Sequence, residues 1–227
     1  MHPIIRKRLA NFVWPRFSAN FDMINHNAQM IATIRSDEKK PIHRFAQREE
    51  MYGAVNEELG GVSISYLEFG VWKGKSLKTW TAINTDPRSR FYGFDSFEGL
   101  PEVWKHGFGN ATGKEIFDLG GTMPSGLDPR VKLVKGWFQH TLGTFLNETE
   151  LPHPIVVHID CDLHSSALYV LSSLDRLFQA GDVVMFDEYA SPSNEYLAWE
   201  EYKSAFMRKA NCIAMSDHWS QAAFALE

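Results

Sequence analysis

Three carboxylates stand at the ends of two apolar runs. Asp160 closes IVVHID, Asp187 closes DVVMFD, and Glu188 follows it directly. If the runs are neighbouring parallel strands, their C-terminal ends lie side by side and the three acids converge. Converging carboxylates repel one another, and such a set normally holds a hard cation. Mg²⁺ suits it best, with oxygen ligands in an octahedron completed by water or a substrate. The plainer alternative has Asp162 and Glu188 facing solvent and Asp160 capping the next helix.

A second group lies in YLEFGVWKGKSLKTW, residues 66–80. A strand ends in Glu68-Phe69, Gly70 and Gly74 follow, and a helix starts near Ser76. Small residues there let backbone approach a ligand, and the helix start offers free N–H groups. The spacing is G-x-x-x-G. It therefore lacks the G-x-G-x-x-G that seats a dinucleotide pyrophosphate, and Lys75-Ser76 lacks the spacing of a P-loop. The third group is FYGFDSFEGLP, residues 91–101. Asp95 ends the second strand, where an acid accepts hydrogen bonds from ribose hydroxyls, with Ser96 and Phe97 after it. A lone acid there also suits a turn cap. Gly136-Trp137 forms a similar strand-to-helix turn further on. Phe97 and Trp137 suit either the faces of a flat ring or the core. Three histidines stand near the acids: His164, four positions after Asp160, His140 after Trp137, and His158 inside the apolar run, which reads as a core or supporting residue.

These residues need a scaffold that brings strand ends together. From residue 62, short apolar runs alternate with helical stretches. Strands are predicted at 65–69, 90–94, 131–135, 155–160 and 182–187, and helices at 74–84, 138–147, 165–180 and 195–209. That alternation marks a parallel sheet with helices on both faces. Two last strands, 211–215 and 221–226, are joined by the short SDHWS, which fits a hairpin and makes the last strand antiparallel. Residues 44–59 have the apolar spacing of an amphipathic helix, halted by Gly60-Gly61. The chain divides into a helical extension over 1–60, a cap over the substrate, and a ligand-binding domain over 61–227. The Gly- and Pro-rich segment 97–129 reads as a partly ordered lid, with a solvated insertion as the alternative.

The five ordered stretches LEFGVWKGKSL, GFDSFEGLP, VKGWFQHTL, HIDCDLHSSALYVLSSL and GDVVMFDEY resemble the macrocin O-methyltransferase family over roughly residues 65–190. The resemblance implies a Rossmann-like class I methyltransferase fold. It is an α/β fold with a mostly parallel seven-stranded sheet, an antiparallel last strand and an N-terminal helical extension. It implies S-adenosylmethionine as cofactor, held by Glu68, Phe69, Gly70, Gly74, Ser76, Asp95, Ser96, Phe97, Gly136, Trp137 and Asp160. It implies Mg²⁺ on Asp160, Asp187 and Glu188, and transfer of a methyl group to a sugar hydroxyl of a natural product. The family more usually carries Asp-Asp where this chain has Asp187-Glu188, and Gly where it has Cys161. Asp160 and His164 are then the catalytic pair, His164 as general base and His140 as second candidate. A catechol or phenol O-methyltransferase commonly has a lysine shortly after the first acid, and CDLHSS has none. A non-catalytic module that binds the cofactor would have no need of the acids.

The chain has 227 residues, enough for one α/β domain with a short extension, and a formal net charge of −5, which argues against a nucleic-acid surface. There is no apolar run long enough for a membrane span. Arg6, Lys7 and Arg8 are followed by no apolar stretch of the kind a signal peptide needs. Cys161 and Cys212 are spaced neither for zinc nor for a disulfide framework. A cytoplasmic protein with a small-molecule partner is expected, without nucleic acid or membrane. Phe12, Trp14, Phe17 and Phe21 near the start suggest a homo-oligomer.

Overall fold

A computed structural model describes residues 14–39, 41–107 and 110–227. The charged start at Arg6, Lys7 and Arg8 and the side chains of Phe12, Trp14, Phe17 and Phe21 lie outside the described residues. In chain order the helices are α1 (Trp14–Asp37), α2 (Arg48–Glu58), α3 (Lys75–Ile83), α4 (Phe138–Glu148), α5 (His164–Leu174) and α6 (Glu195–Ala205). The strands are β1 (His43–Phe45), β2 (Ser65–Phe69), β3 (Arg90–Asp95), β4 (Trp104–Gly107), β5 (Asn110–Thr112), β6 (Val131–Lys135), β7 (Ile155–Ile159), β8 (Val183–Phe186), β9 (Ala210–Ser216) and β10 (Ala222–Leu226).

Eight strands form one sheet in the order β1-β9-β10-β8-β7-β2-β3-β6. The neighbouring pairs among β6, β3, β2, β7 and β8 are parallel, while β10 runs antiparallel to both β8 and β9. The seven strands read from the sequence are present, and the Ser216–Ala222 connection is a hairpin. The eighth strand is β1, which pairs in parallel with β9 at the sheet edge. It overlaps the start of the 44–59 segment read as all helix. Its three residues are too few to show a period of two, and α2 begins only at Arg48.

The central strands β2 and β7 are buried along their whole length, which explains their mostly apolar character; Glu68 and His158 are buried polar exceptions. Alternation divides their side chains between two cores. Leu67, Phe69, Tyr92, Phe94, Val157 and Ile159 pack on one face with residues of α1, α4, α5 and α6. Tyr66, Phe91 and Val156 pack on the other face with Met51, Tyr52 and Val55 of α2 and Leu77 and Trp80 of α3. The chain leaves β2 toward β3 and β6 on one side and returns to β7 on the other. The strand order therefore reverses between β2 and β7, and a crevice opens outside their C-terminal ends. The 97–129 segment folds in part. It carries the small antiparallel hairpin β4–β5 and a bridge between Glu98 and Asp118.

Candidate functional site

The crevice is built on one tight turn. At Gly70 φ is +101°, and a Cβ there would sit 1.7 Å from the backbone oxygen of Asp160. Only glycine lets β2 and β7 approach so closely. The Gly70 N–H donates to Phe94 O, and the Asp160 N–H donates to Phe69 O, so the ends of β2, β3 and β7 are tied together. Asp95 completes the knot. Its Oδ2 accepts the N–H groups of Val71 (2.8 Å) and Trp72 (2.7 Å), and its Oδ1 accepts that of Phe97 (2.7 Å). Three of the carboxylate's roughly four lone-pair sites are used, which leaves one on Oδ1 for a ligand.

Glu68 does a different job from the one its strand-end position suggested. It is fully buried, and its two oxygens accept from Tyr66 Oη and Ser76 Oγ, each at 2.6 Å. Tyr66 Oη is also 2.8 Å from His158 Nδ1. Glu68, Tyr66 and His158 form a chain of polar groups beneath the crevice, on the face covered by α2 and α3.

The acids stand above that chain. Asp160 and Asp187 share one cation, Arg48, whose Nη1 is 2.9 Å from Asp187 Oδ2 and 3.6 Å from Asp160 Oδ2. Arg48 is the first residue of α2, and no motif marked it in the sequence. Burial holds the Asp160 carboxyl well above the usual carboxylate range, Asp187 adds to the shift, and Arg48 opposes it. Burial and Asp187 push Glu188 up to about 7, with Arg48 opposing. Asp162 is buried rather than facing solvent, and burial, Glu188, Asp187 and Asp95 push it up to about 8. Glu195, fully buried at the start of α6, was also missed. Its Oε1 accepts the N–H groups of Cys161 (3.2 Å) and Asp162 (3.1 Å), and its Oε2 accepts that of Glu188 (3.0 Å). One carboxylate thereby fixes the loops after β7 and β8. An acid followed seven residues later by a buried acid carries no local signature, so nothing in the sequence marks it.

Among the described residues, one group of three potential metal ligands has its donor atoms within 4.8 Å of one another: His158, Asp160 and Asp187. Glu188 is outside this group. His158 and Asp160 are two residues apart, as are Met185 and Asp187, and His158 pairs with Met185 in the sheet register. The period of two puts all of these on one face and Glu188 on the other.

A cavity of about 400 Å³ joins these parts. Of the residues expected to hold a cofactor, Gly70, Ser76, Asp95, Ser96, Trp137 and Asp160 line it, together with Asp187 and Glu188. Phe69 and Phe97 are fully buried in the two cores. Gly74, with φ +71°, precedes α3 as its cap, and Gly136 donates its N–H to Asp95 O. Trp72, Trp104 and Phe117 supply further aromatic wall, the last two from the 97–129 segment. His164 does not line the cavity. At the start of α5, its Nε2 is 2.7 Å from Oε2 of Glu201 on α6. His140 is solvent-exposed on α4 and also outside the cavity. Cys161 and Cys212 are both buried and are not joined in a disulfide.

A family model described as a methyltransferase domain matches residues 67–189, more than half of the chain. Among curated proteins, the chain is 27% identical over 146 residues to the 8-demethyl-8-(2,3-dimethoxy-alpha-L-rhamnosyl)-tetracenomycin-C 4'-O-methyltransferase of Streptomyces olivaceus, covering 57% of this chain and 54% of that protein. It is 26% identical over 175 residues to the demethyldecarbamoylnovobiocin O-methyltransferase of Streptomyces niveus, covering 70% of this chain and 65% of that one. The chain thus spans between half and two thirds of the length of these curated relatives. Among solved structures it is similar in fold to a calicheamicin methyltransferase, with a TM-score of 0.62 and 22% identity, covering 78% of this chain and 77% of the other.

Proposed function

Because the chain belongs to the methyltransferase-domain family, we propose that it is an S-adenosylmethionine-dependent O-methyltransferase acting on a small molecule. We place it with the macrocin-type enzymes that methylate sugar hydroxyls of natural products. The observation that carries this reading is one aromatic-walled cavity that holds both the Asp95 knot and the Asp160–Asp187 pair. The curated relatives are O-methyltransferases by name, and the name of the first includes a rhamnosyl group, which supports the acceptor class.

The residues present fit the cofactor. Gly70 brings backbone to the crevice, Asp95 faces a ribose, and Trp137 and Trp72 offer flat walls to an adenine. When bound, the cofactor supplies a methyl group on a sulfonium, open to in-line displacement by an oxygen. The chain's own task is to hold acceptor and donor in line, a large part of the acceleration. The residues also fit a divalent cation. Asp187 Oδ1 is buried with no hydrogen-bond partner, and burial disfavours the bare charge of Asp160. Asp160 and Asp187 would hold the ion, which when bound lowers the pKa of a hydroxyl and fixes its direction. Arg48 offsets part of the acids' charge and braces their Oδ2 atoms. Glu188, at the cavity wall with its pKa near 7, is placed to take the hydroxyl proton on a carboxylate oxygen. His164, tied to Glu201, is poorly placed for that step.

Helix α1 serves as part of a cap, since it reaches β4 of the 97–129 lid, which walls the cavity. We place the protein in the cytoplasm, where its two thiols stay reduced. Among the described residues no helix is long and apolar enough to cross a membrane.

The test is a transfer assay with methyl-labelled S-adenosylmethionine, Mg²⁺ and a panel of glycosylated aromatic products and nucleotide sugars. We expect label on a hydroxyl oxygen, with Asp160→Ala and Asp187→Ala each lowering the rate at least about 100-fold. Label on carbon or nitrogen, or full transfer by both variants, would overturn the reading.

A further inference from the structure

His158 has an unfilled donor atom where the acids converge. It lies at the middle of the sheet with no exposure to solvent, and its Nε2 has no hydrogen-bond partner. The hydrogen bonds on its other nitrogen fix which form of the ring is present. Tyr66 Oη has one proton and donates it to Glu68 Oε2 at 2.6 Å. Toward His158 Nδ1, 2.8 Å away, the hydroxyl therefore accepts, so Nδ1 carries the ring proton. Nε2 is left with a lone pair and no partner, on the sheet face that His158 shares with Asp160 and Asp187. A protonated Nε2 would donate to one of the acids, and it makes no such hydrogen bond. A bare lone pair among carboxylates is unfavourable unless a cation lies between them.

We propose that His158 Nε2 is the third protein ligand of the cation held by Asp160 and Asp187, and that the site prefers a borderline divalent transition metal, Mn²⁺ or Co²⁺, to Mg²⁺. This deepens the metal-assisted reading above and rests on it. A ring nitrogen of His158 and one carboxylate oxygen of each acid lie within 4.8 Å of one another, and Nδ1 is already engaged by Tyr66. Ligands about 2.1 Å from one ion lie at most about 4.2 Å apart, so small side-chain rotations close the site. One imidazole nitrogen with two carboxylates suits Mn²⁺ and Co²⁺, whereas Mg²⁺ prefers oxygen alone. The outer partners also match the role. A ligating histidine donates its second ring N–H to a group that fixes its orientation, and here that group is Tyr66, held in turn by Glu68 and Ser76. Glu68 thus acts through the histidine, although its strand end pointed to the cofactor. Strand alternation leaves Glu188 outside the ligand set.

The experiment is pulsed electron paramagnetic resonance of Mn²⁺ bound to the full chain, with Mn²⁺ and Mg²⁺ affinities from calorimetry and S-adenosylmethionine binding measured alongside. We expect nitrogen coupling to the bound Mn²⁺ and an affinity for Mn²⁺ at least 10-fold above that for Mg²⁺. In His158→Gln the coupling disappears and the two affinities come within about 3-fold. Should His158→Gln fail to fold, Tyr66→Phe keeps the ring in place and removes its orienting partner. There we expect Mn²⁺ affinity to fall 10- to 100-fold. Glu188→Gln should leave the coupling intact. Mn²⁺ bound without nitrogen coupling, coupling that persists in His158→Gln, or no effect of Tyr66→Phe would overturn the assignment while leaving a metal-assisted enzyme standing. Cofactor binding with no metal binding would overturn both.

Discussion

Asp95 shows how one side chain both builds a site and serves it. Its two oxygens hold the backbone of Val71, Trp72 and Phe97 while facing the cavity. Hydrogen bonds to a charged acceptor contribute about 1.5–3 kcal/mol each. Asp95→Ala should therefore weaken S-adenosylmethionine binding at least about 10-fold, and unchanged calorimetric affinity would remove Asp95 from the site. Asp162 and Glu188 predict a pH effect on the metal-free protein. Their folded-state values, about 8 and about 7, lie above the unfolded range near 4. The folded chain then binds more protons than the unfolded chain between about pH 4 and 8, so stability falls as pH rises through that window. Urea midpoints should drop from pH 5 to pH 8, and Asp162→Asn should flatten the drop. Asp95, Asp160 and Asp187 were legible in the sequence because each ends an apolar run. Arg48 was not, because it reaches the acids from a helix far away in the chain. His158 looked like a core histidine because its apolar neighbours masked the two-residue step that puts it beside Asp160.

The strands were legible as elements because burial on both faces leaves mostly apolar runs, as in β7, where His158 is the one polar residue. Small edge elements were not. β1 has three residues, and β4–β5 sits among glycines that disguise a hairpin as loop. Two residues carry the joints between elements. Gly70→Ala would drive a Cβ into the Asp160 carbonyl, at 1.7 Å, and demand a strained φ. Relief requires parting β2 from β7, so we expect a loss on the order of 3 kcal/mol or more in denaturant unfolding. Glu195→Gln keeps only one oxygen for the three N–H groups that Glu195 receives. A loss of about 2–3 kcal/mol is expected, together with weaker metal binding, because the loops of Asp160 and Asp187 are released together. Metal affinity unchanged in Glu195→Gln would show that the loops hold their shape without it.

At the scale of the molecule, the crevice follows from topology. The order reverses between β2 and β7, and every acid that lines the cavity stands at a C-terminal strand end or just beyond it. The alternation of runs and helices was enough to anticipate this. The roof was less legible, since Trp104 and Phe117 come from a segment whose composition reads as loop. With Trp104 and Phe117 against a bound cofactor, hydrogen exchange over residues 100–107 and 110–117 should slow on adding S-adenosylhomocysteine. Unchanged exchange there would leave the segment outside the site. The most direct test of the central claim is calorimetric titration of S-adenosylmethionine into the purified chain. The account predicts one saturable site per chain, weakened at least about 10-fold in Asp95→Ala, and the absence of any binding would contradict it.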